Sequence, residues 1–188
     1  MPIRASFVVA VLLLAVTAHA EPQRPASATD ELRRRFDHAL AVVQTSSFRA
    51  LEPERQRGEL RRAISGVFNW PEIARRSLGA RQWSALSAGE RREFTDSFMT
   101  LAERAYMGPL ERMAARGVPM TEPVRFLSEA REGSETVVRT ALAYPRELPV
   151  DFVMVERTGR WQICDVRVDQ VSATENYSAQ LRRVTAPK

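Results

Sequence analysis

The chain has 188 residues, a formal net charge of +5 and a single cysteine, Cys164. A chain of this size can bury a sizeable core as one domain, and one cysteine excludes an intramolecular disulfide. The positive charge comes almost entirely from arginine, because Lys188 is the only lysine. This charge is mild for the length of the chain and, together with the export signal described next, it argues against a nucleic-acid partner.

The first twenty residues have the pattern of a secretory signal peptide. Arg4 precedes an apolar run from Phe7 to Val16, and Ala18-His19-Ala20 places small residues at a cleavage position. The run is shorter than the ~20 apolar residues of a membrane-spanning helix, although a retained anchor is the alternative. We predict cleavage after Ala20 and a flexible leader over residues 21–29.

Helical spacing dominates the first half of the exported chain. Apolar residues recur at helical intervals over residues 30–44, and a second helix is predicted over residues 53–67. In Asn69-Trp70-Pro71-Glu72, an N-cap residue precedes a proline in the first turn and a glutamate three residues on. A third helix is therefore predicted to run to Leu78 and to end at Gly79.

A short turn carrying Trp83 is predicted to lead into the longest helix. Ser87 and Glu90 form a capping box at its start, and Gly108-Pro109 should kink or break it. Its apolar positions form one continuous stripe. These positions are Phe94, Phe98, Leu101 and Ala105.

The second half of the chain changes to the alternation of β-strands. Four strands are predicted, over residues 123–130, 135–144, 149–157 and 160–170, and the short turns between them favour an antiparallel meander. Ser172 with Glu175 is a further capping box that begins a closing helix. The fold class is therefore predicted to be α+β: N-terminal helices packed on a four-stranded antiparallel sheet with a C-terminal helix, in one domain over residues 30–184.

The sequence offers few groups for catalysis or metal binding. His38 is the only histidine left after signal cleavage, and no cluster has metal-ligand spacing. Asp165 and Asp169 lie four residues apart on a strand, roughly 13 Å, which is too far for a hydrolase pair. No nucleotide-binding loop is present. We predict that the protein is not an enzyme and binds no cofactor and no metal.

Two ordered blocks resemble the MlaC family of periplasmic phospholipid-binding proteins, also described as toluene-tolerance proteins. The first is "VFNWPEIARRSLGARQWSALSAGERREF", from residue 67 to 94, and the second is "VDFVMVERTGRWQICDVRVDQVSATENYSAQL", from 150 to 181. The family's Glu-Gly-Val-Ser is replaced here by Asp169-Gln170-Val171-Ser172, which removes a glycine suited to positive φ. The resemblance covers about residues 30–184.

The resemblance implies an NTF2-like cone, in which helices cover a curved sheet and leave an apolar cavity for acyl tails. It also implies a periplasmic carrier that shuttles phospholipid between an outer-membrane lipoprotein–porin complex and an inner-membrane ABC transporter complex, and so maintains outer-membrane lipid asymmetry. At ~0.8 kcal/mol per methylene, exposing two chains of about 15 carbons to water costs on the order of 20 kcal/mol. Sheltering them needs no catalytic residue. A hopanoid-associated branch of the same family is an alternative.

Apolar positions of the two halves supply the predicted lipid contacts, and arginines near them supply weaker candidates for a headgroup. An ordinary solvated helix face is the alternative for each arginine, and plain core packing is the alternative for each apolar residue. The predicted lipid-binding residues are Phe68, Ile73, Leu78, Phe94, Phe98, Leu101, Tyr106, Val138, Leu142, Phe152, Met154 and Trp161. The headgroup candidates are Arg75, Arg76 and Arg81.

Two other classes of protein stay open. One is an exported binding or scaffold module with a closed core and no ligand. Lipid-free extracts of the purified protein would favour this class. The other is an enzyme on the same framework with Asp151 or Asp165 as a base. A buried carboxylate with a strongly raised pKa would favour that class.

Overall fold

The computed structural model describes residues 27–64, 66–115, 124–143 and 147–185, without the side chains of residues 103–115, 143, 184 and 185. The predicted signal peptide and most of the predicted leader lie outside these residues. Among the helices described, none combines the length and apolar character needed to cross a bilayer.

The described elements are helices, then a sheet, then a helix. The helices are α1 (Ala28–Gln44), α2 (Ser46–Arg49), α3 (Pro53–Ile64), α4 (Trp70–Leu78), α5 (Ala80–Ala85), α6 (Ala88–Ala115) and α7 (Ala173–Thr185). The strands are β1 (Val124–Glu132), β2 (Glu135–Ala143), β3 (Glu147–Arg157), β4 (Arg160–Val168) and β5 (Val171–Ser172). The predicted α+β class is confirmed, with an antiparallel sheet in the order β1-β2-β3-β4-β5.

Local caps determine where several helices begin. The Asn69 side chain accepts a hydrogen bond from the Glu72 amide at 3.2 Å, and α4 ends at Gly79, whose φ is 92°. At the start of α6, Ser87 and Glu90 exchange the two bonds of a capping box. These predicted helix boundaries are confirmed, because each depends on a few consecutive residues.

α1 begins inside the predicted leader, because Ser27 caps it. The Ser27 hydroxyl accepts from the Asp30 amide at 3.1 Å, and the Asp30 carboxylate accepts from the Ser27 amide at 3.2 Å. This is a capping box in which aspartate takes the place of the usual glutamate.

The helical half also differs from prediction in three places. Trp83 lies in the short helix α5 rather than in a turn, and α6 runs without a break through Gly108-Pro109. α3 ends at Ile64 rather than at Val67, because the segment after it pairs with the sheet. The Val67 carbonyl accepts from the Ile163 amide at 2.7 Å, and the Asn69 amide donates to the Ile163 carbonyl at 2.8 Å.

Within the described residues, the sheet has five strands rather than the four predicted. β4 ends at Val168, and the chain reverses through Asp169 and Gln170, whose φ angles are 51° and 65°. Val171 then pairs with Val168 in a short fifth strand. Two consecutive residues with positive φ allow a tight hairpin that matches the twist of the flanking strands, so strand β5 replaces the predicted end of β4.

Replacing Gln170 by glycine is expected to stabilise the fold slightly. Relief of about 1–2 kcal/mol of left-handed strain exceeds the about 0.5–1 kcal/mol of entropy that glycine adds to the unfolded chain. The expected net rise of about 0.5 kcal/mol can be measured by urea denaturation. Gly133→Ala is the opposite control, because Gly133 has a φ of 65° with open space around it and should lose about 1 kcal/mol. A loss of stability in Gln170→Gly would contradict the expectation.

In the part of the chain that the structure describes, three apolar clusters hold the layers together. The largest lies between one face of the sheet and α1, and its buried members are Ala28, Leu32, Val67, Val138, Val150, Phe152, Met154 and Ile163. On the opposite face, Val137, Val153 and Cys164 form a small cluster. A third cluster joins α4 and α6 through Ile73, Ala74, Phe98 and Ala102.

Cys164 is a buried strand thiol. Its Sγ donates to the Val153 carbonyl at 3.4 Å, and burial raises the pKa of the thiol to about 12. Because the thiol stays protonated and covered, its contribution is to packing.

Candidate functional site

One face of the sheet gathers all the strand residues predicted to contact lipid. Val138 and Met154 are fully buried there and Phe152 is nearly so. Leu142 and Trp161 are half-buried and pack against the same cluster. We call this surface the apolar face; its residues are Val138, Leu142, Val150, Phe152, Met154, Trp161 and Ile163.

α1 covers the apolar face. Its Leu32 is buried in the same cluster, and the Phe36 ring lies edge-on to Phe152 with centroids 5.6 Å apart and to Phe126 at 6.3 Å. Sequence reasoning assigned neither Leu32 nor Phe36 to the site. The available signal was the helical spacing of these two residues, which shows an apolar stripe without showing what the stripe faces.

The helix residues predicted to contact lipid lie mainly in the separate aromatic cluster of α4, α6 and α7. Phe98 packs edge-on against Tyr177 at 4.9 Å, and Phe94 stacks on Phe98 at 6.1 Å. Ile73 is buried in this cluster, and Phe68 packs against both clusters. The structure therefore brings the predicted contacts together as two groups joined by Phe68.

Three other predicted contacts are not placed in either cluster. Leu78 is half-buried at the end of α4. Leu101 on α6 is 52% exposed. Tyr106 belongs to the part of α6 whose side chains lie outside the described structure.

Two of the headgroup candidates are held in an ion-pair network. Arg75 donates to Glu72 through Nε at 2.8 Å and Nη2 at 2.6 Å. Arg76 donates through Nε to Glu72 at 2.9 Å and through Nη2 to Glu135 at 2.5 Å. The network links α4 to the start of β2. Arg81 is exposed on α5.

The network has a consequence for acid stability. Hydrogen bonds from Arg75, with a further bond from Arg76, lower the pKa of Glu72 from 4.5 to about 2. A carboxylate with a lowered pKa in the folded state stabilises the fold above pH 4.5, and this contribution is lost as the pH falls towards 2.

Glu72→Gln is expected to lower the free energy of unfolding by about 1–3 kcal/mol at pH 7, because charge-assisted bonds are lost. The difference from the wild type should shrink as the pH falls from about 4.5 to about 2, as urea denaturation at several pH values can measure. Glu93→Gln, at an exposed position on α6, is the control. An equal difference at every pH would contradict this role for Glu72.

A polar pocket of about 550 Å³ lies between α4 and the sheet face opposite the apolar face. Asp165 is buried in its wall and accepts from the Ser172 hydroxyl at 2.6 Å, the Thr174 amide at 3.0 Å and the Val166 amide at 2.9 Å. These bonds hold the first turn of α7 on β4. They give the carboxylate a structural role, which differs from the role of a base in the enzyme alternative. The other charged lining residues are Arg75, Arg76, Glu135, Arg167 and Glu175.

Within the described ranges, the histidine, cysteine, aspartate and glutamate side chains form no group of three or more that could hold a metal ion.

The fold and the covered apolar face define an α+β protein with a helix-covered antiparallel sheet. The structure is similar to that of the phospholipid-binding protein from Ralstonia solanacearum, solved in complex with a phospholipid, with a TM-score of 0.71. The two chains are 19% identical, and the match covers 85% of this chain and 87% of that one. This likeness shows a shared fold.

The sequence comparison then gives the family. Residues 33–187 match the family described as MlaC protein, and the chain therefore belongs to the MlaC family. No curated protein shows significant sequence similarity to it.

Proposed function

We propose that this protein is a carrier that binds the acyl chains of a phospholipid against the apolar face of its sheet. The observation that carries the proposal is that all five strand residues chosen from the sequence lie together on that face. They are Val138, Leu142, Phe152, Met154 and Trp161. A continuous hydrocarbon-like surface across three strands matches the chemistry of an acyl chain, which offers no polar group to recognise.

Membership of the MlaC family and the phospholipid bound to the Ralstonia solanacearum protein both support this ligand class. The physical need is clear, because each methylene exposed to water costs ~0.8 kcal/mol. A carrier of this kind replaces the contacts of the acyl chains in the bilayer with contacts to side chains, and it makes or breaks no covalent bond. We therefore propose binding and transfer, without catalysis or a cofactor.

The proposed residues fall into two groups. The apolar face forms the acyl-chain wall, and Phe68 connects it to the aromatic cluster. The second group would extend the wall on the helical side, and its members are Phe68, Ile73, Phe94 and Phe98. Leu78, Leu101 and Tyr106 are proposed as contacts from the sequence pattern alone.

For the headgroup, Arg81 is a better candidate than Arg75 or Arg76. The guanidinium groups of Arg75 and Arg76 are already bonded to carboxylates, so binding a phosphate would break charge-assisted bonds. Arg81 is exposed on α5, and its guanidinium group makes no ion pair with a carboxylate among the described contacts.

We further propose that the mature protein acts in the periplasm after cleavage behind Ala20. There it would exchange lipid with an outer-membrane lipoprotein–porin complex and an inner-membrane ABC transporter complex. These partners and this location follow from the resemblance of the two sequence blocks to the family.

Mass spectrometry of organic extracts from the purified, folded protein tests the proposal. We expect co-purified phospholipid in a fixed ratio to protein. Hopanoid in place of phospholipid would support the hopanoid-associated alternative. Extracts free of lipid, from protein that also takes up none from phospholipid vesicles, would overturn the carrier function and favour the scaffold alternative.

A further inference from the structure

The first helix covers the surface that the proposed ligand needs. Leu32 is 1% exposed, and the Phe36 ring lies against both Phe126 and Phe152. These α1 side chains therefore occupy the space directly above the apolar face. An acyl chain that contacted Phe152 or Met154 would have to take the place of these side chains.

The attachment of α1 to the sheet differs from that of α4. α4 is preceded by backbone hydrogen bonds to Ile163 and is linked to β2 by the Arg76–Glu135 ion pair. In the described structure, the hydrogen bonds from α1 to the sheet all go to one carboxylate. Glu129 accepts from the Thr29 amide at 2.8 Å and from the Thr29 hydroxyl at 2.6 Å.

The remaining contacts of α1 with the sheet are mainly apolar or aromatic. The Arg33 guanidinium lies 4.8 Å from the centre of the Phe126 ring, and Phe36 packs edge-on nearby. Apolar contacts have no fixed direction, so a hydrocarbon chain can replace them without leaving a buried polar group unpaired. Thr29 lies in the first turn of α1, at the end farthest from α2.

We propose that α1 is a movable cover of the acyl-chain site, and that Leu32 and Phe36 fill the place of an acyl chain when no lipid is bound. The inference rests on the proposed function and names the element that admits the ligand. Lipid entry requires a conformation in which α1 has moved off the apolar face. The Thr29–Glu129 bonds favour the covered conformation, and a bound chain favours the open one.

A reversible cross-link between α1 and β1 tests the cover. The Thr29→Cys/Glu129→Cys protein is first delipidated. A short bis-methanethiosulfonate reagent then joins its two introduced cysteines, and a reducing agent removes this cross-link. The protein is then incubated with vesicles of phosphatidylethanolamine and phosphatidylglycerol and repurified, and its lipid is measured by mass spectrometry. Cys164 is fully buried, so the introduced thiols are the accessible ones.

The expected result is that cross-linked protein takes up at least about tenfold less lipid than the same protein after reduction, because the binding-competent population is reduced. The matched control is Arg157→Cys/Arg160→Cys, which joins two exposed, paired residues of β3 and β4. Its uptake should be the same before and after reduction. Equal uptake by cross-linked and reduced Thr29→Cys/Glu129→Cys would overturn the cover while leaving lipid binding intact.

A second variant keeps the inference testable if the cross-linked protein is poorly folded. Phe36→Ala removes the ring that we place in competition with the ligand, so its lipid uptake at subsaturating vesicle concentration should rise severalfold. Phe48→Ala, at a buried position on α2, is the control for a general loss of packing. A fall in the uptake of Phe36→Ala equal to that of Phe48→Ala would overturn the role of Phe36. If wild-type protein takes up no lipid, the proposed function and the cover both fail.

Discussion

Leu142→Glu is expected to abolish lipid co-purification while leaving the protein folded. Leu142 is half-buried beside Leu148 and Val124 in the strand register, where it packs against the apolar cluster. A carboxylate there can reach water when no lipid is bound but would be desolvated by an acyl chain. We expect a loss of roughly 3 kcal/mol, or about a hundredfold in affinity, measured as lipid per protein in organic extracts.

Leu127→Glu is the matched control, because it makes the same change on the neighbouring strand β1. Leu127 is 53% exposed at the irregularity between Phe126 and Ser128. Its lipid content should stay at the wild-type level. If folded Leu142→Glu retains as much lipid as Leu127→Glu, the acyl chains do not bind at this end of the apolar face.

Asp165→Ala is expected to cause the largest loss of stability. Three donors bond to this buried carboxylate: the Ser172 hydroxyl and the amides of Thr174 and Val166. Removing it leaves them without their acceptor and releases the first turn of α7 from β4. Unsatisfied buried donors and a lost helix cap together should cost about 3–5 kcal/mol, measurable by urea denaturation.

Two further variants separate the stability lost with these hydrogen bonds from the stability lost with the charge alone. Asp165→Asn keeps one acceptor oxygen and should lose an intermediate amount. Asp151→Ala removes a half-buried carboxylate from β3 and should change stability by less than about 1 kcal/mol. Equal losses in Asp165→Ala and Asp151→Ala would show that the bonds to α7 contribute little.

Caps and strand alternation could be predicted because they depend on neighbours in the chain. Asn69 and the Ser87–Glu90 pair determine their helix starts through bonds spanning three residues. In the same way, alternate residues of a strand share a face, so the spacing of Val138 and Leu142 is enough to place them together. The two family blocks extended this local pattern to the arrangement of the whole domain.

Other features depend on pairings between distant residues, and the sequence predictions missed them. The early end of α3 follows from the hydrogen bonds of Val67 and Asn69 with Ile163. The ion pair of Arg76, a weak headgroup candidate, with Glu135, 59 residues away, was not predicted. The separation of Phe98 from the apolar face, and its packing on Tyr177, could not be inferred from an apolar stripe alone.

The amino-acid sequence by itself determined the order of the longer helices and strands, the caps at Asn69 and Ser87, the face on which the strand residues lie and the family. Each of these depends on residue spacing or on local hydrogen bonds. Only the tertiary structure decided that α1 covers the apolar face, that the helix contacts form a second cluster and that Asp165 holds α7. The physical reason is that apolar periodicity specifies that a side chain is buried, whereas its partner is selected by how whole elements pack in space.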